Sequence, residues 1–150
     1  MALSYGDILE KAKRYCAYQE RATTDVLGKL KEWKAGNENT HAILAELKQE
    51  SYLDDERFAR TFVRGKYGIK KWGRMKIMNA LRAKRIEEGL ITQALDEIHE
   101  SEYLNNLEAV IRAKKRTLPE TASPQNRKKI IDHALAKGYE LNLIYQILNK

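Results

Sequence analysis

Asp54-Asp55-Glu56 is a run of three adjacent acids, and adjacent carboxylates can hold a divalent cation. A Mg²⁺-dependent nuclease needs further acids converging on the same point, and residues 57–86 contain none. The run therefore reads as a helix N-terminus: acids favour the positive end of the helix dipole, and Asp54 can cap free N–H groups. His41, His99 and His133 are scattered, with no pair four apart and no cysteine beside them, so a zinc site is not expected. Cys16 is the single cysteine; it falls on the apolar side of a helical pattern and is expected to be a buried thiol in a reducing compartment. No GxxxxGK[ST] or GxGxxG stretch occurs, and Gly65-x-x-Gly68 is isolated. The expectation is a protein without catalysis, metal or cofactor.

The charges suggest binding instead. The 150 residues carry 28 Lys and Arg against 21 Asp and Glu, a formal net charge of +7. The charges are segregated along the chain: residues 57–86 hold 11 bases and no acid, and residues 87–108 hold 7 acids and no base. Such a block is explained most simply by a polyanion or an acidic protein surface as neighbour; the alternative is a solvated helical face whose charges the acidic segments match in space. Arg64, Lys66, Lys70, Lys71, Trp72 and Arg74 cluster at a turn between two helices, and Arg82, Lys84 and Arg85 follow at the next helix end. Lys114, Lys115 and Arg116, then Arg127 and Lys128, form a further basic group. These are the candidate nucleic-acid- or partner-binding residues. Phosphates suit them through charge and bidentate guanidinium contacts, and acidic protein faces suit them equally. Tyr67 and Trp72 lie among cations, where rings can stack on unpaired bases or anchor a partner, but the default reading is core or interhelical packing. Phe58 and Phe62, four apart, read as core.

The elements that must position these residues are helices. Apolar residues recur at three- and four-residue steps in nine segments, and no segment alternates as a strand would. The first spans about 6–20. Thr24 is expected to cap the second, Gly36 to end it in a left-handed conformation, and Asn39 or Thr40 to open the third. Asp54 opens a fourth that stops at Gly68. Met75 to Leu81, Leu90 to Ile98, and Glu102 to Ile111 mark three more. Ser123 with Pro124 starts the eighth, which stops at Gly138, and the ninth covers about 140–149. No run nears the roughly 18 apolar residues of a membrane span. The N-terminus carries no secretory pattern, so a cytoplasmic monomer is expected.

The pattern repeats. Residues 74–97 placed on 127–150 give ten identities in 24 ungapped pairs, including Arg74 on Arg127, Lys76 on Lys129 and Glu87 on Glu140. A weaker copy lies upstream, with Val26, Leu27 and Leu30 matching Ile77, Met78 and Leu81. The expected fold is all-α: three tandem three-helix repeats, 1–53, 54–100 and 101–150, in an elongated, curved array.

Tyr52-Leu53-Asp54-Asp55-Glu56-Arg57-Phe58-Ala59 resembles the hallmark of the RecX family, bacterial modulators of the recombinase RecA. Flanking stretches agree: Tyr15 with Arg21-Ala22-Thr23-Thr24-Asp25-Val26, and Lys66-Tyr67-Gly68 followed by Trp72-Gly73-Arg74. Two positions depart from the family pattern. Arg74 stands where the family often has proline, and Arg85 stands where it usually has glycine. The resemblance implies a non-enzymatic modulator, expected to inhibit, that binds the RecA–single-stranded DNA filament and restrains strand exchange, ATP turnover or co-protease activity. Direct DNA binding, single-stranded or double-stranded, is also within the family's range. The alternative from another class is a freestanding nucleic-acid-binding protein that reads DNA with a helix-turn-helix pair.

Overall fold

The computed structural model describes residues 3–120 and 122–150, and among them there are nine α-helices and no strand. They are α1 (Tyr5–Tyr18), α2 (Thr23–Glu32), α3 (Asn37–Gln49), α4 (Asp55–Gly68), α5 (Arg74–Ala83), α6 (Glu88–Leu95), α7 (Glu100–Lys115), α8 (Pro124–Ala136) and α9 (Leu141–Leu148). The principal helix–helix packings all fall within consecutive triplets, α1–α3, α4–α6 and α7–α9. Among the described residues no helix is long and apolar enough to cross a membrane.

Local chemistry sets the helix starts. Ser4 and Asp7 form a reciprocal capping pair on α1. The Asp54 carboxylate accepts from the Arg57 N–H at 3.1 Å, as its position implies. Ser123 accepts from the Asn126 N–H at 3.0 Å ahead of Pro124. Three expected boundaries are corrected. Thr24 lies inside α2, whose entry is Ala22; its hydroxyl instead donates to the Lys84 carbonyl at 2.8 Å. The left-handed residue that ends α2 is Lys34 (φ 57°), not Gly36. Gly36 (φ 83°) turns the chain straight into α3, which opens at Asn37 rather than Asn39 or Thr40.

Buried apolar side chains form two clusters. One gathers Ile8, Ala12, Cys16, Val26, Leu30, Ile43, Leu47 and Leu53, all from α1–α3 and the turn after them. The other runs from Phe58 and Leu81 through Ile91, Tyr103 and Leu107 to Tyr139 and Ile144, so α4–α9 share one core. Phe58 is 6 % exposed and Leu81 fully buried, placing both rings and branches inward as the periodicity implies. The chain exposes 9447 Å². A compact monomer of 17.4 kDa would expose about 7,900 Å², so the array is extended.

Candidate functional site

The acidic–basic octapeptide is a joint. Leu53 is buried in the first cluster, and Phe58 and Ala59 in the second. Between them each polar residue has a task. Asp54 caps α4, while Asp55 accepts from both the Thr23 N–H (2.8 Å) and the Thr23 hydroxyl (3.0 Å), capping α2 from a neighbouring unit. Glu56 faces Arg60 one turn on. Arg57 donates to the Glu20 carboxylate and, at 3.0 Å, to the Ser51 carbonyl; the Glu20 bond holds its guanidinium above its ordinary pKa. The three acids are thus engaged in capping and pairing, and among the described residues no group of His, Cys, Asp and Glu is arranged to hold a metal. Burial pushes the Cys16 thiol up, so it stays protonated and unreactive.

A second joint links α5 to the turn before α9. Gly73 donates its N–H to the Lys137 carbonyl at 2.7 Å, and Met75 donates to the Gly138 carbonyl at 3.0 Å. The backbones touch so closely that a Cβ on Gly73 would lie 2.3 Å from the Gly138 carbonyl carbon. Around this contact the Tyr139 hydroxyl donates to the Lys71 carbonyl at 2.7 Å, and the Tyr103 hydroxyl donates to Glu140 at 2.5 Å. Burial first, then the Glu140 bond, pushes the Tyr103 hydroxyl up.

These joints decide which candidate bases remain free. Arg74 does not point outward. Its guanidinium bridges Glu100 (2.5 Å) and Glu140 (2.8 Å) and lies 3.8 Å from the centre of the Tyr103 ring. Arg82 grips Glu88 through two bonds, 2.6 and 3.2 Å. Lys84 meets Asp25 at 2.7 Å. Arg64 faces Glu97 at 3.7 Å with 70 % of its side chain in solvent, a contact worth little. Acids remote in sequence but adjacent in space neutralise much of the block, which favours the alternative of charges matched within the fold for those bases.

What remains is narrower. Lys66 stands 4.8 Å and Lys76 4.3 Å from the centre of the half-buried Trp72 ring, which meets Phe62 edge-on. Lys70 is exposed, and Lys71 beside it is half-buried in a left-handed conformation (φ 55°). Their carbonyls accept from Lys137 Nζ and the Tyr139 hydroxyl, whereas their ammonium groups meet no carboxylate. Arg85 is exposed, left-handed and unpaired. Of the distal bases, Lys115 and Arg116 are exposed and pair with no carboxylate among the described residues. Arg127 donates to Asn149 at 2.8 Å, and Lys128 meets Asp132 at 2.6 Å. Lys114 lies against α8, where burial first and then Lys114 and Lys137 push the His133 imidazole down. Sequence reasoning missed Lys76, Lys137 and Tyr139. The repeat held the signal for part of this, since it sets Lys137 on Lys84 and Gly138 on Arg85.

Comparisons with known proteins agree with this architecture. The family model described as "RecX, second three-helix domain" matches residues 54–95. A regulatory protein RecX from Prosthecochloris aestuarii is 28 % identical over 142 residues, covering 95 % of this chain and 91 % of that one. One from Bacillus cytotoxicus is 25 % identical over 134 residues, and the match takes in 89 % of this chain but only 50 % of the relative. The crystal structure of RecX from Lactobacillus salivarius superposes with a TM-score of 0.86 at 19 % identity, over 97 % of this chain and 94 % of that one. In the octapeptide joint, the tandem triplets and these matches, the chain is similar to the RecX family.

Proposed function

We propose that this protein is a non-enzymatic regulator of RecA that lies against the RecA–single-stranded DNA filament and restrains its recombinase and co-protease activity. It acts as a monomer of three units, 1–53, 54–100 and 101–150. The family's name as a regulatory protein supports the role, and one observation supports the place. In a block where Arg57, Arg60, Arg74, Arg82 and Lys84 are matched within the chain, the Lys70 and Lys71 ammonium groups meet no carboxylate among the described residues. Lys66, Lys76 and Trp72 adjoin them. Lysines aimed at phosphates beside a ring that can stack on a base are what a single strand requires. Arg74, Arg82 and Lys84 are left out of the contact set because their charges serve the fold.

The test replaces Lys70 and Lys71 together by Glu. Affinity for oligothymidylate should fall and the salt dependence should flatten by about 0.7 per lost contact in the log–log slope, with restraint of strand exchange lost in parallel. Wild-type DNA affinity and wild-type restraint in the double variant would overturn the assignment. Loss of DNA affinity with restraint intact would point to the freestanding helix-turn-helix reading.

A further inference from the structure

The last turn of α7, the loop after it, the start of α8 and the end of α9 enclose an open groove of about 860 Å³, within the range of about 300–1,000 Å³ typical of ligand sites. Its floor is aliphatic: Leu118, Ala122, Pro124, Ile130 and Leu148. The loop bank is braced, since Asn126 Nδ2 donates to the Pro119 carbonyl at 3.1 Å. Lys115, Arg127 and one acid, Glu120, line the groove, and Arg116 follows at the end of α7, so the rim is basic on balance. Lys115 and Arg116 are exposed and, among the described residues, meet no carboxylate. The N-terminus of α8 adds its positive dipole end to the same bank.

We propose that this groove receives an acidic protein segment bearing aliphatic side chains, with its carboxylates against Lys115, Arg116 and Arg127 and its apolar residues on the floor. The rim sets the sign of the occupant's charge. The floor sets its class. A single DNA strand gains affinity by stacking bases on aromatic rings, and no aromatic side chain lines this groove. Branched aliphatic side chains, in contrast, fill such a floor without unmet hydrogen bonds. The inference rests on the protein being a partner-binding regulator, but it draws on a surface separate from Lys70 and Lys71.

A fluorescein-labelled peptide of Asp and Glu around two leucines, titrated into the full chain and read by anisotropy, tests it. Binding should weaken about tenfold or more in the pair Lys115→Glu with Arg116→Glu. Ala122→Trp, which fills the floor, should weaken it comparably, as should exchanging both leucines of the peptide for serine. Thermal melts establish that each variant is folded; if the tryptophan variant is not, the charge pair and the serine peptide still decide. No binding by the wild type, equal binding of the serine peptide, or indifference to the charge pair would overturn the proposal. Displacement of the peptide by oligothymidylate would also overturn it, because the groove would then serve the strand. Failure of the RecA reading shows up elsewhere, in the Lys70 and Lys71 variant.

Discussion

The two joints solve the same problem with opposite means. Between α1–α3 and the rest, Ala22 is the one buried residue of the first unit that packs into the second cluster, and polar groups make the other bridges: Asp55 to Thr23, Arg57 to Glu20, Thr24 to the Lys84 carbonyl, Lys84 to Asp25. Between α4–α6 and α7–α9, one core is continuous and two glycines bring backbone against backbone. A hydrogen bond contributes only about 0.5–1.5 kcal/mol and an exposed ion pair about 0–1 kcal/mol, the latter weakening with salt, whereas a shared core stands or falls as a unit. The first joint thus rests more on polar groups, and the second fixes the groove and the Lys70–Lys71 turn in one frame. Trp33 packs on the first cluster and Trp72 on the second, so single-tryptophan variants report each region separately.

The largest expected effect is at the second joint. Gly73→Ala places a Cβ 2.3 Å from the carbonyl carbon and 2.4 Å from the carbonyl oxygen of Gly138. Neither is a flexible side chain, so the backbones must part, at a cost of about 3 kcal/mol or more. Urea unfolding followed at Trp72 should shift strongly while the Trp33 transition moves less. Equal shifts at both tryptophans would show that the two regions unfold together and would remove the contrast.

Alkaline pH should act on the same side. Burial and a 2.6 Å bond to Glu102 push the Tyr67 hydroxyl up to about 12 from 10, and Tyr103 and Tyr139 are also pushed up, chiefly by burial. Below pH 10 these groups are protonated in both folded and unfolded chains, and their contribution is constant. Above it the unfolded chain releases protons that the folded chain retains, so stability falls as pH rises toward 12. Replacing Tyr67 by Phe should flatten part of that fall, which melts from pH 9 to 11 would measure.

A smaller effect is expected at the first joint. Asp55→Ala removes two acceptor bonds from the start of α2 and should cost about 1–2 kcal/mol. Added salt should mimic part of it by weakening Arg57–Glu20, whereas the Trp72 signal should be nearly unaffected. A loss at Trp72 as large as at Trp33 would contradict a separable first unit.

The helices and their inward faces were legible because each rests on local periodicity: Ile77 and Leu81, or Ile8 and Ala12, declare a buried stripe by spacing alone. The family octapeptide was legible too, but not its work. That Asp55 caps α2 rather than α4 depends on a partner 32 residues away, which no local rule contains. The same holds for the basic block. A count along the chain finds no acid between Arg57 and Arg85, yet Glu20, Glu97, Glu100, Glu140 and Asp25 arrive through folding. Arg74 illustrates the cost: by sequence it is one cation among many at an exposed turn, and in the fold it is the bolt of the second joint. Lys70 and Lys71 emerge only by subtraction.

The finest contrast between the joints lies at one repeated position. Lys34, Arg85 and Gly138 end α2, α5 and α8 in the left-handed region, with φ of 57°, 57° and 103°. A side chain there costs about 1–2 kcal/mol of strain, and only at Gly138 is a side chain also excluded by contact, with Lys76 Cβ 2.5 Å from the site of a new Cβ. Arg85, exposed and unpaired, is under no such constraint. Arg85→Gly should relieve the strain, and the looser unfolded chain should return about 0.4–1 kcal/mol of the gain, leaving a net stabilisation of about 0.5–1 kcal/mol. Lys34→Gly should behave alike, but read at Trp33 rather than Trp72. If Arg85→Gly destabilises instead, the arginine makes a contact that strain relief does not replace, and the turn beside the first joint is held by its side chain as well as by the Thr24 bond to the Lys84 carbonyl.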